Sequence, residues 1–286
     1  MSRWVSVRAT RMCALAAAMA LLAPHGPAGA SAAPPDSGSG AHASVTTSAA
    51  PGVVERRVLG RSAGGRPITA WRLGEPDAAT TVVLISTMHG DEPATRGILT
   101  SLRDGLPVRG IDLWVVPTYN PDGLARGTRA SGRGVDLNRN YPYRWAPLDG
   151  RYESGPRPAS EPETRAMMRF LRAVRPDRVL SFHQPLNGVD TDTKSPAFAR
   201  RVARTLRLPT TTLDCGGVCH GTMTGWFNAT FPGVALTVEY PARPGRRRMT
   251  QVAPAQVLEI FRATYARLVG EPAGPYPGAE GAQRPR

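Results

Sequence analysis

Thr87-Met88-His89-Gly90-Asp91-Glu92 is the stretch of sequence on which the predicted fold depends. It follows an apolar, valine-rich run at residues 81–85, which predicts a buried parallel strand. It leads into a helical pattern with Pro93 in the first turn, where a missing N–H is harmless. At such a junction, the three-residue spacing of His89 and Glu92 can direct an imidazole and a carboxylate at one point, and both are ligands of Zn²⁺. The alternative interpretation is a surface histidine before a helix, with a glutamate at the positive end of that helix.

The ends of the chain differ in composition from its middle. Three arginines precede an apolar run at residues 12–23, and small residues follow it, which predicts a cleaved secretory signal peptide that is too short to cross a bilayer. A retained, uncleaved anchor is the alternative. A Ser/Ala/Pro/Gly-rich linker follows, with a propeptide as the open alternative, and the C-terminus is rich in Pro and Gly. The predicted boundaries are 1–32 for the signal peptide, 33–50 for the linker, 51–270 for the folded domain and 271–286 for the tail.

The chain is strongly basic, with a formal net charge of +14. Removing the three signal arginines, and no acidic residue, leaves about +11 for the mature protein. A basic exported protein is expected to accumulate on anionic surfaces such as a cell wall. Nucleic acid is not a predicted partner, because the basic residues are scattered apart from residues 243–248 and no nucleic-acid-binding motif accompanies them. We further expect a monomer with no transmembrane segment after signal cleavage.

Two cysteines remain after the predicted signal peptide. Cys215 and Cys219 form an even pair in an exported protein, which predicts a disulfide that stiffens one loop. A metal clip that uses His220 is the alternative.

Strands alternate with helices along the domain. This pattern predicts an α/β fold with a mixed, mainly parallel central sheet and helices on both faces. Ser160 and Glu163 have the spacing of a capping box at a helix start, and residues 117–159 form a long polar stretch typical of a functional loop. The predicted strands are 53–59, 67–73, 81–87, 111–116, 178–182, 210–213 and 234–238, and the predicted helices are 92–104, 160–174, 196–206, 223–229 and 251–269.

Two further polar residues stand where predicted strands end. His183 follows the apolar run at residues 178–182, and Glu239 follows the run at 234–238. Open α/β sheets bind ligands at the carboxyl ends of their strands. Two histidines and two carboxylates, counting His89 and Glu92, are therefore expected at one edge of the sheet, which favours a site over buried structural residues.

The sequence here resembles the zinc carboxypeptidase family. The ordered set spans most of the domain, and it looks most like the murein peptide amidases of that family, which cut between γ-D-glutamate and diaminopimelate in cell-wall peptides. The resemblance implies a hydrolase-like α/β fold and one Zn²⁺ ion. The matching segments are His89-Gly90-Asp91-Glu92, Asn120-Pro121-Asp122-Gly123, Gly134-Val135-Asp136-Leu137-Asn138-Arg139-Asn140, Ser160-Glu161-Pro162-Glu163, His183 and Glu239.

The resemblance also implies which residues hold the metal. His89, Glu92 and His183 would be the zinc ligands, the two-histidine, one-glutamate set of carboxypeptidase A. Asp136 would accept a hydrogen bond from His89 and select its tautomer. Glu239 would be the general base that activates water and protonates the leaving amine.

Substrate-binding roles follow from the same resemblance. Arg126 would stabilise the oxyanion, whereas Arg129 is interpreted as a surface charge. Asn138 and Arg139 would bind the substrate carboxylate. Thr224, two residues before a tryptophan, would line the side-chain pocket, and a small polar residue there argues against an aromatic pocket and against an acidic one for lysine.

The chain departs from the family's digestive members at one position. Those enzymes carry a mobile tyrosine nine residues before the tryptophan, and the corresponding residue here is Gly217, nine before Trp226. Tyr240, beside the predicted base, is not its equivalent.

The sequence therefore predicts an exported zinc metallopeptidase or amidase that hydrolyses a peptide bond next to a free carboxylate, with murein peptides as substrate. A general metallocarboxypeptidase on secreted peptides is the first alternative. A non-catalytic basic wall-binding module with a vestigial metal site is the second, and Glu239 argues against it because binding needs no general base.

Overall fold

The computed structural model describes residues 52–213, 217 and 219–266. The strands alternate with helices along the chain, as the apolar patterning predicts. The strands are β1 Val53–Arg61, β2 Pro67–Gly74, β3 Thr81–Ser86, β4 Val108–Arg109, β5 Asp112–Val116, β6 Arg178–His183, β7 Leu186–Asp190, β8 Thr210–Thr211, β9 Val234–Pro241 and β10 Thr264–Tyr265. The helices are α1 Arg96–Asp104, α2 Pro121–Arg126, α3 Pro162–Val174, α4 Pro196–Leu206, α5 Met223–Thr230 and α6 Ala253–Ile260.

An eight-stranded mixed sheet forms the centre, in the order β1-β2-β5-β3-β6-β9-β7-β8. Its middle strands β5, β3, β6 and β9 are parallel to one another. The β1–β2 hairpin joins one side antiparallel, and β7 joins β9 antiparallel on the other side. The parallel middle brings the carboxyl ends of β3, β6 and β9 to one edge, where His89, His183 and Glu239 were expected to meet. The mainly parallel α/β fold is therefore confirmed.

Apolar cores lie on both faces of the sheet because the central strands are buried on both sides. Helices α1, α4 and α6 cover one face, where Leu84 and Phe182 point. Helices α3 and α5 cover the other, where Ile85 and Val179 point. Neighbouring residues of a strand point into opposite cores. Because both cores are apolar, these strands are nearly continuous apolar runs in the sequence, which is how they were predicted.

The helix start near residue 160 differs from the prediction. Helix α3 begins at Pro162 with Glu161 as its N-cap, and no side chain caps it. The Ser160 hydroxyl instead accepts the side-chain amide N–H of Asn140 at 2.8 Å and donates to the Glu161 carboxylate at 3.0 Å. Glu163 accepts the main-chain N–H of Ala63 at 2.8 Å, so it ties the helix to the β1–β2 turn. The capping-box prediction is wrong because both side chains have nonlocal partners.

Two further helices differ from the prediction made from the sequence. The predicted helix 251–269 ends at Ile260, after which Arg262 has φ 56° and turns the chain into β10 beside β4. The apolar spacing continued past the helix because Tyr265 packs against the same core. Within the polar stretch 117–159, the sequence missed α2, which Asn120 caps through the N–H of Gly123.

No helix in the described part of the chain has the length and apolarity needed to cross a bilayer. The predicted signal peptide, the linker and the tail lie outside the described residues.

Candidate active site

The structure brings His89, Glu92 and His183 together at the edge of the sheet. Strand β3 ends one residue before Thr87, whose φ of 55° turns the chain so that His89 points back over the edge, and His183 is the last residue of β6. His89 Nδ1 lies 2.7 Å from one Glu92 oxygen, and His183 Nδ1 lies 2.9 Å from the other. The two Nδ1 atoms are 3.2 Å apart. All three side chains are buried, and their ligand atoms lie within 4.8 Å of one another.

Each imidazole also forms a hydrogen bond through Nε2, the ring nitrogen that faces away from Glu92. His89 Nε2 lies 3.1 Å from Asp136 Oδ1, and His183 Nε2 lies 2.9 Å from Ser181 Oγ. Each Nδ1 is therefore left to face the same point, together with the carboxylate of Glu92. Two imidazole nitrogens and one carboxylate form the donor set of a catalytic zinc site, so these residues fit one zinc ion. Sequence reasoning missed Ser181, although it stands two residues before His183 and must share its face of the strand.

The electrostatics of the three groups are coupled. Burial by itself would lower the pKa of His89, but the carboxylates of Glu92 and Asp136 outweigh it and raise that pKa to about 9. Burial works against ionisation of the two carboxylates, and the histidines outweigh it for Glu92, whose pKa is lowered. The pKa of Asp136 is lowered despite burial, chiefly by His89 and then by Arg129. The site therefore holds its carboxylates as anions, ready for a cation.

The Asn-Pro-Asp-Gly turn positions this cluster. Asn120 is fully buried, and its Nδ2 donates to the carbonyls of Met88 at 3.2 Å and Arg129 at 3.3 Å, while its Oδ1 accepts from Gly123 N at 2.8 Å. One amide thus links the residue before His89 to the start of α2. Gly90 lies against the same helix, because a Cβ there would stand 1.9 Å from the Gly123 carbonyl carbon. This close approach requires glycine.

Glu239 lies beside the triad on the neighbouring strand. It is paired in register with His183 across β6 and β9. Its side chain is 7% exposed, and one carboxylate oxygen accepts the main-chain N–H of Leu186 at 3.3 Å. Burial raises its pKa, and Glu92 adds to the increase while His183 opposes it. A carboxylate in this position can take up a proton next to the metal site.

The arginine beside the metal triad is Arg129, whereas the sequence analysis selected Arg126 as the oxyanion-stabilising residue. Arg126 is exposed at the end of α2, and its guanidinium donates to the Gly132 carbonyl at 3.1 Å. Arg129 lies in the site, where its Nε and Nη2 donate to Asp136 at 2.9 and 2.8 Å. Its Nη1 lies 3.6 Å from Glu92. The chain leaves α2 through Gly127 in the left-handed conformation, which turns Arg129 inward and leaves Arg126 on the surface.

A cavity of about 530 Å³ opens onto the triad, and Asn138, Arg139 and Thr224 line it with Glu239. Arg139 is 3% exposed, its guanidinium lies over the Tyr152 ring at 4.9 Å, and its Nε has no hydrogen-bond partner. None of the described carboxylates forms an ion pair with it. A buried cation without an anion suits the carboxylate of a ligand.

The pocket beyond Thr224 corrects one expectation. The small polar side chain of Thr224 lies 3.5 Å from the hydroxyl of Thr237, as suits a non-aromatic pocket. Two carboxylates nevertheless line the cavity, because Asp190 and Asp192 reach it from β7 and the loop that follows, among basic residues that include Arg144 and Lys194. Asp190 belongs to β7, whereas the sequence prediction considered only Thr224 on α5, so it could not detect this carboxylate.

The predicted disulfide lies partly outside the described residues. Cys219 is disulfide-bonded and lines the cavity, whereas Cys215 is not among the residues described.

Known sequences relate the chain to one family. A family profile described as zinc carboxypeptidase matches residues 42–185, about half of the chain. The chain is 30% identical over 196 residues to murein peptide amidase A of Escherichia coli K12, which covers 64% of this chain and 79% of that protein. It is 32% identical over 164 residues to murein peptide amidase A of Vibrio campbellii, which covers 52% of this chain and 65% of that protein.

The fold of the chain is also similar to that of solved structures. The murein-tripeptide amidase of Escherichia coli O157 superposes with a TM-score of 0.59 at 28% identity, covering 73% of this chain and 92% of that one. Carboxypeptidase A of Helicoverpa armigera superposes with a TM-score of 0.59 at 19% identity, covering 74% and 68%, and shows the shared fold alone.

Proposed function

Because the chain belongs to the zinc carboxypeptidase family and is a zinc-dependent hydrolytic metallopeptidase, we propose that it cuts murein peptides at a bond next to a free carboxylate. The bond is the one between γ-D-glutamate and diaminopimelate. The convergence of His89, Glu92 and His183 on one point, with Glu239 in register beside them, is the observation that carries this proposal. The murein amidases to which the chain is similar support the choice of substrate.

We propose that His89 and His183, through Nδ1, and Glu92 hold the zinc ion. When bound, zinc polarises a carbonyl and lowers the pKa of water to about 7. Glu239 takes a proton from the attacking water and passes it to the leaving nitrogen, which is general base and then general acid catalysis. Arg129 directs its guanidinium toward the same point and is positioned to stabilise negative charge on the carbonyl oxygen.

The free carboxylate of the substrate is assigned to Arg139. Its guanidinium is buried, lines the cavity and forms no ion pair with a described side chain, so a carboxylate there would complete one. Asn138 holds the wall of the cavity, since its Oδ1 accepts the N–H of Met223 at 3.0 Å and fixes the start of α5. Thr224 directly follows Met223 in the first turn of α5, so the carboxylate site and the side-chain pocket are built as one unit.

Export is part of the proposal. A basic protein with a signal peptide over residues 1–32 would reach anionic murein outside the cytoplasm. The N-terminus of the protein recovered from the culture medium and cell wall, read by mass spectrometry, tests this. A mature chain that begins near residue 33 is expected, and an intact N-terminus on protein that stays in the cytoplasm would contradict export.

The reaction itself is tested with purified zinc-loaded protein and the tripeptide L-alanyl-γ-D-glutamyl-diaminopimelate. We expect release of diaminopimelate, loss of release with a chelator, and recovery on addition of zinc. The variant Glu239→Gln keeps the shape of the side chain and removes the base, so it should bind zinc normally and lose about 10²-fold or more in kcat.

The outcomes separate the competing functions. Cleavage of ordinary peptides with a free C-terminus, without release from the murein tripeptide, would identify a general metallocarboxypeptidase. Turnover unchanged in Glu239→Gln would remove the proposed mechanism, and a zinc-loaded protein that binds cell wall without cleaving any peptide would be a binding module.

A further inference from the structure

Asp190 is a carboxylate in the catalytic cavity that the proposed mechanism does not use. It is the last residue of β7, which runs antiparallel to β9 with Gly188 opposite Glu239 and Val189 opposite Val238. Two residues along a strand share a face, so Asp190 lies on the same face as Glu239, one step further from the metal triad. The side chain therefore borders the part of the cavity that extends past the reacting bond.

One oxygen of Asp190 is used by the protein and the other is not. Oδ1 accepts the main-chain N–H groups of Asp192 at 3.0 Å and Leu213 at 3.2 Å. No described residue donates to Oδ2, and none of the described arginines or lysines forms an ion pair with Asp190. Burial raises its pKa and outweighs the two main-chain hydrogen bonds, which lower it, and the charge of Asp192 adds a smaller increase. A half-buried carboxylate with one free oxygen facing a cavity is suited to a cation from outside.

A lysine that lines the same cavity already has other hydrogen-bond partners. Lys194 lines the same cavity, but its Nζ donates to the carbonyls of Asn228 at 3.2 Å and Gly233 at 3.0 Å, and also to that of Phe231. These carbonyls lie at and beyond the end of α5, where a lysine stabilises the unpaired acceptors of a helix. Lys194 therefore stabilises the end of α5 and forms no ion pair with Asp190.

We propose that Asp190 binds the side-chain ammonium of a diamino acid at the carboxyl side of the cleaved bond. The inference rests on the proposed function, because it assigns a direction to the substrate. With the substrate carboxylate on Arg139 and the reacting bond beside Glu239, the side chain of the substrate's C-terminal residue extends past the Thr224–Thr237 pair toward Asp190. Diaminopimelate and lysine both carry an ammonium at the end of such a side chain, and a neutral side chain does not.

The experiment separates the charge of Asp190 from its structural role. Asp190→Asn keeps an oxygen that can accept both main-chain N–H groups, so the thermal unfolding temperature should stay near that of the wild type. The control Asp192→Asn neutralises an exposed carboxylate in the same cavity. Each protein is assayed with two substrate pairs that differ only in the ammonium: diaminopimelate against 2-aminopimelate in the murein tripeptide, and lysine against norleucine at the C-terminus of a short peptide.

The wild type should favour the ammonium-bearing member of a pair in kcat/KM by at least about tenfold, the effect of one hydrogen bond to a charged group. Asp190→Asn should lose this preference, and Asp192→Asn should keep it. Calorimetric titration with free diaminopimelate gives a readout apart from turnover, in which Asp190→Asn should bind at least about tenfold more weakly.

Failure of this inference is distinguishable from failure of the proposed function. Release of diaminopimelate by a wild type that does not discriminate within either pair would overturn the role of Asp190 and leave the murein reaction standing. A lysine preference that Asp190→Asn abolishes, without cleavage of any murein peptide, would support Asp190 and remove the murein substrate. Equal loss of preference in Asp192→Asn would refute the assignment to Asp190.

Discussion

Replacing Asn120 with alanine tests whether the turn before α2 holds the metal site in place. The side chain is fully buried and makes three hydrogen bonds, one to the N–H of Gly123 and two to the carbonyls of Met88 and Arg129. Losing the helix cap costs about 1 kcal/mol. Each buried carbonyl left without its donor costs about 1 kcal/mol or more. The free energy of unfolding should therefore fall by about 3 kcal/mol. This is a large share of the unfolding free energy of a typical domain, which is about 5–15 kcal/mol.

The same change should loosen zinc, because Met88 directly precedes His89. Outer contacts of metal ligands typically contribute about 10- to 100-fold to affinity. We expect a decrease of that size, measured by competition with a chromophoric chelator, alongside denaturant unfolding. The variant Asn120→Asp keeps the cap but replaces the donor with an oxygen that faces two carbonyls, so it should also weaken zinc binding.

The matched control is Ser195→Ala, which removes the N-cap of α4 and no link to the metal site. It should cost about 1 kcal/mol and leave zinc affinity unchanged. The reasoning would be refuted if Asn120→Ala cost no more than Ser195→Ala and bound zinc as tightly as the wild type.

Three further predictions concern other parts of the site. Gly90→Ala forces a Cβ into the main chain of α2 and should cost about 3 kcal/mol or more in unfolding free energy, whereas Gly245→Ala, with open space around it, should be nearly neutral in the same denaturant titration. Arg129→Lys should lower kcat by about 10²-fold because an ammonium cannot reproduce its contacts, while Arg126→Lys should leave steady-state turnover intact; equal effects would reverse our assignment. Asp122→Asn should destabilise the protein at neutral pH, since burial opposes ionisation but hydrogen bonds to the carboxylate outweigh it and lower its pKa. That stabilisation is present above the unfolded-state value of about 3.9 and is lost as pH falls below it, so wild-type and variant stabilities measured by denaturant titration should converge in acid.

The fold was predictable because its main signal is local. Buried parallel strands are continuous apolar runs, and the runs before His89, His183 and Glu239 are unmistakable in the sequence. Helix ends were less predictable, since an apolar residue such as Tyr265 can face the core from a strand as well as from a helix. The capping box at Ser160 failed for a related reason, because a side chain with a nonlocal partner no longer obeys a local rule.

The sequence by itself determined the α/β architecture and placed two histidines and two carboxylates at one edge, because parallel strands end at the same edge of a sheet. The resemblance to the zinc carboxypeptidase family implied which three of these residues hold the metal. Only the tertiary structure decided which of two nearby arginines enters the site, since the left-handed turn between them directs one inward. It alone revealed Ser181 behind His183 and Asp190 in the side-chain pocket. Such roles are set by contacts between segments far apart in the chain, whose geometry depends on packing and not on any local pattern.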